Sequence, residues 1–334
     1  MMKDIGLNSK EMKNKPSEFM EKISKLFSMN GILIPFIVIF LGFSIFVNSF
    51  LTISNIVVVI RQSVFVMLLG FGMTFIVAMK GIDLSVGSIM GISGLFMADL
   101  IMAGWNIYLS IPITLAFGSV LGLINGFLIA KVKIPDFIAT LGTMSILRGL
   151  MYVWTRGIPI YGLVFPEFTF LGQGYIGPVP FPIIVTVIFF FIFLYLLRKT
   201  KFGRYTISIG SNIEAAKLVG IPIDKIKMLV YTLGGFCCAL AGIMQTSRVE
   251  TAVVTAGQGY EMDAIAAAVL GGTSLTGGKA NLIGTAAGAF LMVIIRNGMN
   301  LLNISSYWHQ VVIGGFILLA VTIDNLYQKR FHSA

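Results

Sequence analysis

Apolar residues in this chain come in long unbroken runs, not at the spacing of an amphipathic surface. The runs cover approximately 31–49, 55–79, 84–103, 107–130, 136–154, 182–197, 227–247, 261–273, 281–301 and 306–323. A helix needs about 20 residues to cross a bilayer core of about 30 Å, and most of the runs approach that length. Ten runs predict about ten membrane-spanning helices, with both ends of the chain on one side. The run 261–273 is short and polar at its start, which predicts a half-helix or a tilted element. Barrel strands are shorter and alternate apolar with polar, so they do not fit.

One polar island breaks the pattern. Arg198–Lys227 reads RKTKFGRYTISIGSNIEAAKLVGIPIDKIK, with nine charges in thirty residues. Ser211-Asn-Ile-Glu214 has the S-x-x-E spacing of a capping box: the serine oxygen accepts from the first turn and Glu214 reaches back. Gly220 stands where a helix end needs left-handed backbone, and Pro222 blocks continuation. The predicted helix is 212–219, about 12 Å long, with Ala215, Leu218 and Val219 on one face. A short capped helix with a small apolar face suits a groove on a partner protein. A surface helix that merely closes a loop is the alternative.

Composition agrees with the runs. Of 334 residues, 57% are hydrophobic and 11% charged, and the mean hydropathy is +0.92. Soluble domains carry about 25% charged residues. The fold class is therefore an all-α polytopic membrane protein. The chain divides into an N-terminal tail (1–30), a membrane domain (31–323) carrying the polar loop 198–227, and a C-terminal tail (324–334). The tail lacks a small-residue cleavage site after the first apolar run, so it reads as retained.

The net charge of +10 raises nucleic acid as a partner, but the distribution argues against it. With the N-terminus inside, 19 of the 24 Lys and Arg residues fall on the inner side. They are six lysines of the tail, Lys80, Lys131, Lys133, the seven of Arg198–Lys227, Lys279, Lys329 and Arg330. That asymmetry is an orientation signal of membrane proteins and places both termini in the cytoplasm. Trp105, Trp154 and Trp308 fall at predicted outer ends, where amphipathic rings favour the interface. Adjacent Cys237 and Cys238 sit inside an apolar span and read as packing residues, not as a disulfide framework.

Several motifs bear on function. Gly81-Ile-Asp83-Leu-Ser85-Val-Gly87 opens the third run, with Asp83 placed as its N-cap. A broken-helix position near a translocation path is the competing reading, since non-helical backbone survives at depth only if buried or lining a cavity. Gly272-Thr-Ser-Leu-Thr-Gly-Gly278 echoes that motif 191 residues later, as an internal repeat or by chance. Charges in or near spans are Arg61, Asp136, Arg148, Glu261, Asp263 and Arg296. Glu261 and Asp263 are placed to face a cavity or to pair with Arg248. A neutral solute needs hydrogen-bonding groups without a counter-ion, which makes Asn125, Thr143 and Gln245 further path candidates beside Asp83 and Ser85. Small-xxx-small spacing at Gly87/Gly91, Gly118/Gly122/Gly126 and Gly284/Gly288 reads as close packing inside the subunit, with a dimer face as the alternative.

The Gly/Pro-rich outer loop Thr155–Phe181 is a connector or a docking surface. His309 reads as a surface residue near the outer interface. No cluster has metal-ligand spacing, and no catalytic triad can be assembled. A phosphate loop requires G-x4-G-K-[ST]. Around Gly278-Lys279, Thr273 takes the place of the first glycine and Ala280 that of the hydroxyl, so nucleotide is not expected to bind here. Gly277 and Gly278 read as a tight turn between spans.

Gly210-Ser211-Asn212-x-Glu214-Ala215-Ala216-x4-Ile221 resembles the cytoplasmic coupling loop of bacterial ABC importer permeases, closest to the sugar permeases of the ribose permease type. The segments 72–88, 137–149, 260–279 and 297–308 are similar to that family in order, whereas Lys80 stands where the family leads one to expect a small or polar residue. The resemblance implies an ABC importer permease fold without catalytic residues or cofactor. It implies a second permease subunit, two cytoplasmic ATPase subunits, and a periplasmic or lipid-anchored sugar-binding protein. Coupling would fall to Gly210, Ser211, Asn212, Glu214, Ala215, Ala216, Gly220 and Ile221. A monosaccharide, ribose first, is the implied solute. The competing readings are an ion-coupled secondary transporter and an ABC permease for another small solute, such as an amino acid or autoinducer.

Overall fold

The computed structural model describes residues 33–305, 307–316 and 318. Both predicted tails, and the end of the last apolar run, lie outside the described residues. Twelve helices follow in order. They are α1 (Leu33–Phe46), α2 (Ile53–Ala78), α3 (Val86–Met102), α4 (Ile107–Ala130), α5 (Asp136–Thr155) and α6 (Pro166–Gln173). Then come α7 (Phe181–Lys199), α8 (Lys201–Ser211), α9 (Ile213–Leu218), α10 (Ile223–Val249), α11 (Tyr260–Leu270) and α12 (Leu282–Leu301). Residues 307–316 are also helical. The expected all-α architecture holds except for a two-stranded hairpin, β1 (Tyr175–Ile176) against β2 (Val179–Pro180).

Six of these helices, α2, α4, α5, α7, α10 and α12, are long and apolar enough to cross a membrane. This is a multi-pass membrane protein. The runs 84–103 and 261–273 give the shorter helices α3 and α11, and the reason lies in two breaks. Lys80 takes a left-handed backbone (φ 64) after α2, and the connector 79–85 then runs extended into the bundle before α3 begins. Its Ser85 receives a bond from Asn125, which lies about 8 Å above the end of α4 at 1.5 Å per residue. From the opposite side, the loop 251–259 dips so far that a Cβ on Gly91 would lie 2.5 Å from the Ala256 carbonyl oxygen. α11 therefore starts inside the bundle and is only 11 residues long, as its short, polar-headed run predicts.

α10 is the hub, packed on α4, α3 and α2. Its close approach to α4 rests on small residues. A Cβ on Gly122 would run into the Tyr231 carbonyl oxygen and lie 3.0 Å from the Gly235 Cα. The predicted small-residue stripe thus packs within the subunit, where glycine lets helices approach in lipid. Cys237 and Cys238 are buried and free, as expected. At the far end, Asn55 and Asn297 exchange amide hydrogen bonds of 3.0 and 2.7 Å and tie α2 to α12.

Gly122→Leu is expected to destabilise the detergent-solubilised protein by about 1–3 kcal/mol, the usual cost of overpacking. Val120→Leu, on the exposed face of the same helix, is expected to leave the thermal midpoint unchanged. Thermal unfolding of the two variants side by side checks this.

Candidate functional site

The lysine-rich connectors gather at one end of the bundle. Lys131 and Lys133 both reach Asp224, at 3.1 and 2.9 Å. The Ile82 amide donates to Asp136 (2.8 Å). At this end the polar island folds as two helices at an angle. Thr200 caps α8 by accepting from the Gly203 amide. The expected capping box is displaced by one residue. Ser211 is the last residue of α8, and Asn212 is the N-cap of α9, accepting from the Ala215 amide at 3.0 Å. Asn212 takes the role because its extended backbone (φ −154) breaks the helix there. Glu214 sits in the first turn of α9, where its charge suits the positive helix end.

The other end of α9 is as expected. Gly220 is left-handed (φ 76). Its amide donates to Lys217, and the Ile221 amide donates to Ala216. These are the paired bonds of a Schellman cap. Ala216 is buried, whereas Ile213, Leu218 and Val219 are exposed, Leu218 to 87%. α9 thus presents a small apolar face that nothing in the chain covers among the described residues.

What lies behind α9 is less obvious from sequence. At Gly210, the chain meets the ends of two other helices. A Cβ there would run into the Ala78 carbonyl oxygen and lie 2.7 Å from the Gly278 amide nitrogen. That same amide donates to Ala78 (3.0 Å). Gly277 and Gly278, both left-handed (φ 78 and 77), make the predicted tight turn. A Cβ on Gly277 would sit 2.6 Å from the Gly210 oxygen. The end of α8, the end of α2 and the α11–α12 turn form one backbone junction. The two echoing motifs, 81–87 and 272–278, both lie at this end, each joining one helix to the next.

Four of the predicted path residues form one hydrogen-bonded chain, buried at Asp83, Ser85 and Asn125 and half-buried at Thr143. Asp83 Oδ1 accepts from the Ser85 amide (2.8 Å) and hydroxyl (2.6 Å). Asn125 donates to Ser85 (2.8 Å), and Thr143 donates to Asn125 (2.6 Å). The chain links the break before α3 to α4 and α5. Asp83 does not cap α3, contrary to the simplest sequence reading. Ser85 is the N-cap residue and makes no side-chain cap bond. Asp83 instead fixes the extended connector, because its oxygen is used up two residues ahead.

The other three candidates lie elsewhere. Gln245 and Asp263 line a polar cavity of about 380 Å³ at the far end. Gln62, Phe65, Arg248, Gln258, Arg296, Asn300 and His309 also line it. Asp263 does not pair with Arg248. Its carboxylate lies 2.8 Å from Arg296, one helix over, while Arg248 sits 5.8 Å over the Phe65 ring. Glu261 turns away from the cavity. A Cβ on Gly87 would lie 2.5 Å from its Oε2. His309 is buried, not on the surface as expected. Arg296 and Asn300, near the end of one apolar run, and His309, near the start of the next, had one visible signal in common: each is a polar residue where two apolar runs meet. Among the described residues, no three His, Cys, Asp or Glu side chains cluster as a metal site.

The predicted outer loop is pinned at that end. Leu163 and Ile160 donate to Glu250 and Ala252, Thr169 to Glu250 (2.8 Å), and Gln173 to the Arg248 carbonyl (3.0 Å). Arg61 donates to the Gln173 carbonyl (3.0 Å).

Known proteins resemble this chain in sequence over most of its length. The family profile described as branched-chain amino acid transport system / permease component matches residues 55–321. The chain belongs to this permease family. The ribose import permease protein RbsC of Haemophilus influenzae is 40% identical over 94% of this chain and 98% of its own length. That of Bacillus subtilis is 45% identical over 84% and 88%. The D-allose transport system permease protein AlsC of Escherichia coli is 37% identical over 84% and 86%. The likeness to ribose-type permeases read from the signature segments is borne out. No solved structure matches the chain.

Asn125→Leu removes the central link of the hydrogen-bonded chain. It is expected to cost about 1–2 kcal/mol of stability. Thr232→Val, which loses only a bond to its own helix carbonyl, is expected to cost less than half as much. Thermal midpoints in detergent compare the two.

Proposed function

We propose that this chain is the membrane-spanning subunit of an ATP-driven importer for a monosaccharide, ribose first. Two copies form the pore. The lysine-rich end faces the cytoplasm, both termini lie there, and about ten elements make the crossing. ATP is hydrolysed on separate cytoplasmic subunits, and an external binding protein delivers the sugar to the far end. The relatives named as ribose import permeases support the substrate. The lysine asymmetry supports the orientation.

One observation carries the reading: α9, capped at both ends, leaves its apolar face uncovered while α8 behind it is locked by backbone to the ends of α2 and α11. Such an element suits the groove of a soluble partner. Asn212, Glu214, Ala215, Ala216, Gly220 and Ile221 build it, and Gly210 and Ser211 seat it. ATP binding by the partner moves α9, and the junction passes that movement to the helices. The exposed apolar residues of the pinned loop, Ile158, Tyr161 and Val164 among them, form the face for the external binding protein.

A second reading has one observation in its favour. Asp83 is fully buried, and its Oδ2 has no hydrogen-bond partner. A buried carboxylate at depth is what an ion-coupled transporter needs.

Leu218→Glu is expected to insert normally but to weaken assembly with the ATPase subunit roughly tenfold, since a charge would enter an apolar groove. Co-purification and uptake of labelled ribose, with all partners co-expressed, check it. Normal assembly and uptake by this variant would remove the coupling role. Uptake that persists in cells lacking the ATPase subunit would favour ion coupling.

A further inference from the structure

We propose that the cavity beside the coupling element, at the lysine-rich end, binds a phosphate group, with Lys80 and Lys227 as its cations and the Tyr231 hydroxyl as its inner donor. The importer reading supplies only the side of the membrane on which this site lies.

The cavity has a volume of about 360 Å³, within the range of small-ligand pockets, roughly 300–1,000 Å³. Its wall comes from the residues after α2, the turn from α4 into α5, the end of α8, the first residue of α9 and the lower part of α10. It therefore adjoins both the seat of α9 and the hub helix.

The wall is basic. Lys80, Lys133 and Lys227 face one carboxylate, Asp136, a balance of +2. Lys133 is held by Asp224, which also holds Lys131. Counting Lys131 and Asp224 leaves the balance unchanged. Counting Asp83, buried near Tyr231, as a carboxylate leaves +1. Asp136 is already engaged: it accepts from the Ile82 amide (2.8 Å) and the Phe137 amide (3.0 Å). Among the described residues, Lys80 and Lys227 make no ion pair. Two ammonium groups on one cavity repel unless an anion lies between them. A phosphate group carries several acceptor oxygens and can take charge-assisted bonds from both.

The inner wall supplies a third donor. Tyr231 is 1% exposed, and its hydroxyl has no hydrogen-bond partner. Gly81, which lines the cavity, lies against that hydroxyl: a Cβ there would stand 3.0 Å from it. A buried donor without a partner is costly, and a phosphate oxygen would satisfy it. The backbone adds a further sign. Lys80 and Lys133 are both left-handed (φ 64 and 66), a conformation that residues with a Cβ resist. Such outliers persist where the side chain has a use.

Soluble phosphate esters and anionic lipid headgroups share this chemistry, and basic pockets at the cytoplasmic ends of membrane helices hold lipid phosphates. A bound group would also brace the backbone junction. The stem of Lys80 lies against the Gly277 turn, where a Cβ would stand 2.5 Å from Lys80 Cγ, so the phosphate would bridge that turn to α10.

The test is calorimetric binding to the purified full-length chain in detergent, with ribose 5-phosphate and dioctanoyl phosphatidylglycerol as probes. Ribose and dioctanoylglycerol, which lack the phosphate, are expected not to compete. Saturable binding of the first probe alone assigns the site to a soluble ester, of the second alone to a lipid headgroup, and of both to phosphate in either form. Lys227→Gln, and Lys80→Gly, which keeps the left-handed turn, are each expected to raise the Kd about tenfold, the effect of one charge-assisted bond. Tyr231→Phe is expected to raise it about fivefold without lowering the thermal midpoint of the ligand-free chain, since its hydroxyl makes no bond within the fold. Lys225→Gln removes an exposed lysine outside the cavity and is expected to stay within about twofold of wild type. Binding of neither probe would overturn the proposal. So would an unchanged Kd in both lysine variants, or a loss in Lys225→Gln as large as in Lys227→Gln. Failure of the importer reading, seen as uptake without the ATPase, would leave these binding results standing.

Discussion

Three stretches of backbone meet without side chains between them at Gly210, Ala78 and Gly277–Gly278. The proposed coupling to the ATPase depends on that contact. A hydrogen bond from the Gly278 amide to the Ala78 carbonyl closes it on one side, and van der Waals contact with Gly210 closes it on the other. Backbone has no rotamers with which to absorb a displacement. In the proposed coupling, a push on α9 would pass through α8 to the end of α2 and the α11–α12 turn, with little side-chain motion to absorb it. Packed interfaces of this kind shift between discrete arrangements and do not deform smoothly.

The bilayer explains why the rest of the bundle has its form. Backbone in lipid must satisfy its own hydrogen bonds, so the two broken segments survive only because protein surrounds them. The connector 79–85 is held by the Asp83–Ser85–Asn125–Thr143 chain, and the loop 251–259 rests on Gly87 and Gly91. Those breaks shorten α3 and α11, and they open space in the upper half of the bundle. In the lower half, small residues line the contact of α2 with α11 and α12, while Phe71 and Phe75 of α2 interlock with Phe190, Phe193 and Phe202 on its other side.

Much of this was legible in sequence for a physical reason. Membrane spans announce themselves by length and hydropathy, and caps by chemistry, so the long helices, the Gly220 end and the Gly277–Gly278 turn follow from local residues alone. The shift of the cap from Ser211 to Asn212 was not legible, because α8 continues through Ser211 under tertiary packing and both residues are good caps. Nor was the split of the path candidates. Asp83, Ser85, Asn125 and Thr143 converge because three separate elements, the connector 79–85, α4 and α5, bring them together, while Gln245 and Asp263 line a different cavity. Asp263 chose Arg296 over Arg248 for the same reason: partner choice across helices is set by rotation about their axes, which periodicity does not reveal. His309 is buried because the helix 307–316 folds back over α12, a contact between consecutive runs whose rotation hydropathy alone does not fix.

The most direct test of force transmission through the junction is sugar moved per ATP hydrolysed by the reconstituted importer carrying Gly210→Ala. The added methyl would drive α8 off the Ala78 carbonyl while leaving the apolar face of α9 intact. The account predicts that this variant still assembles with the ATPase and still hydrolyses ATP, but moves little ribose. Wild-type uptake with wild-type hydrolysis in Gly210→Ala would contradict it.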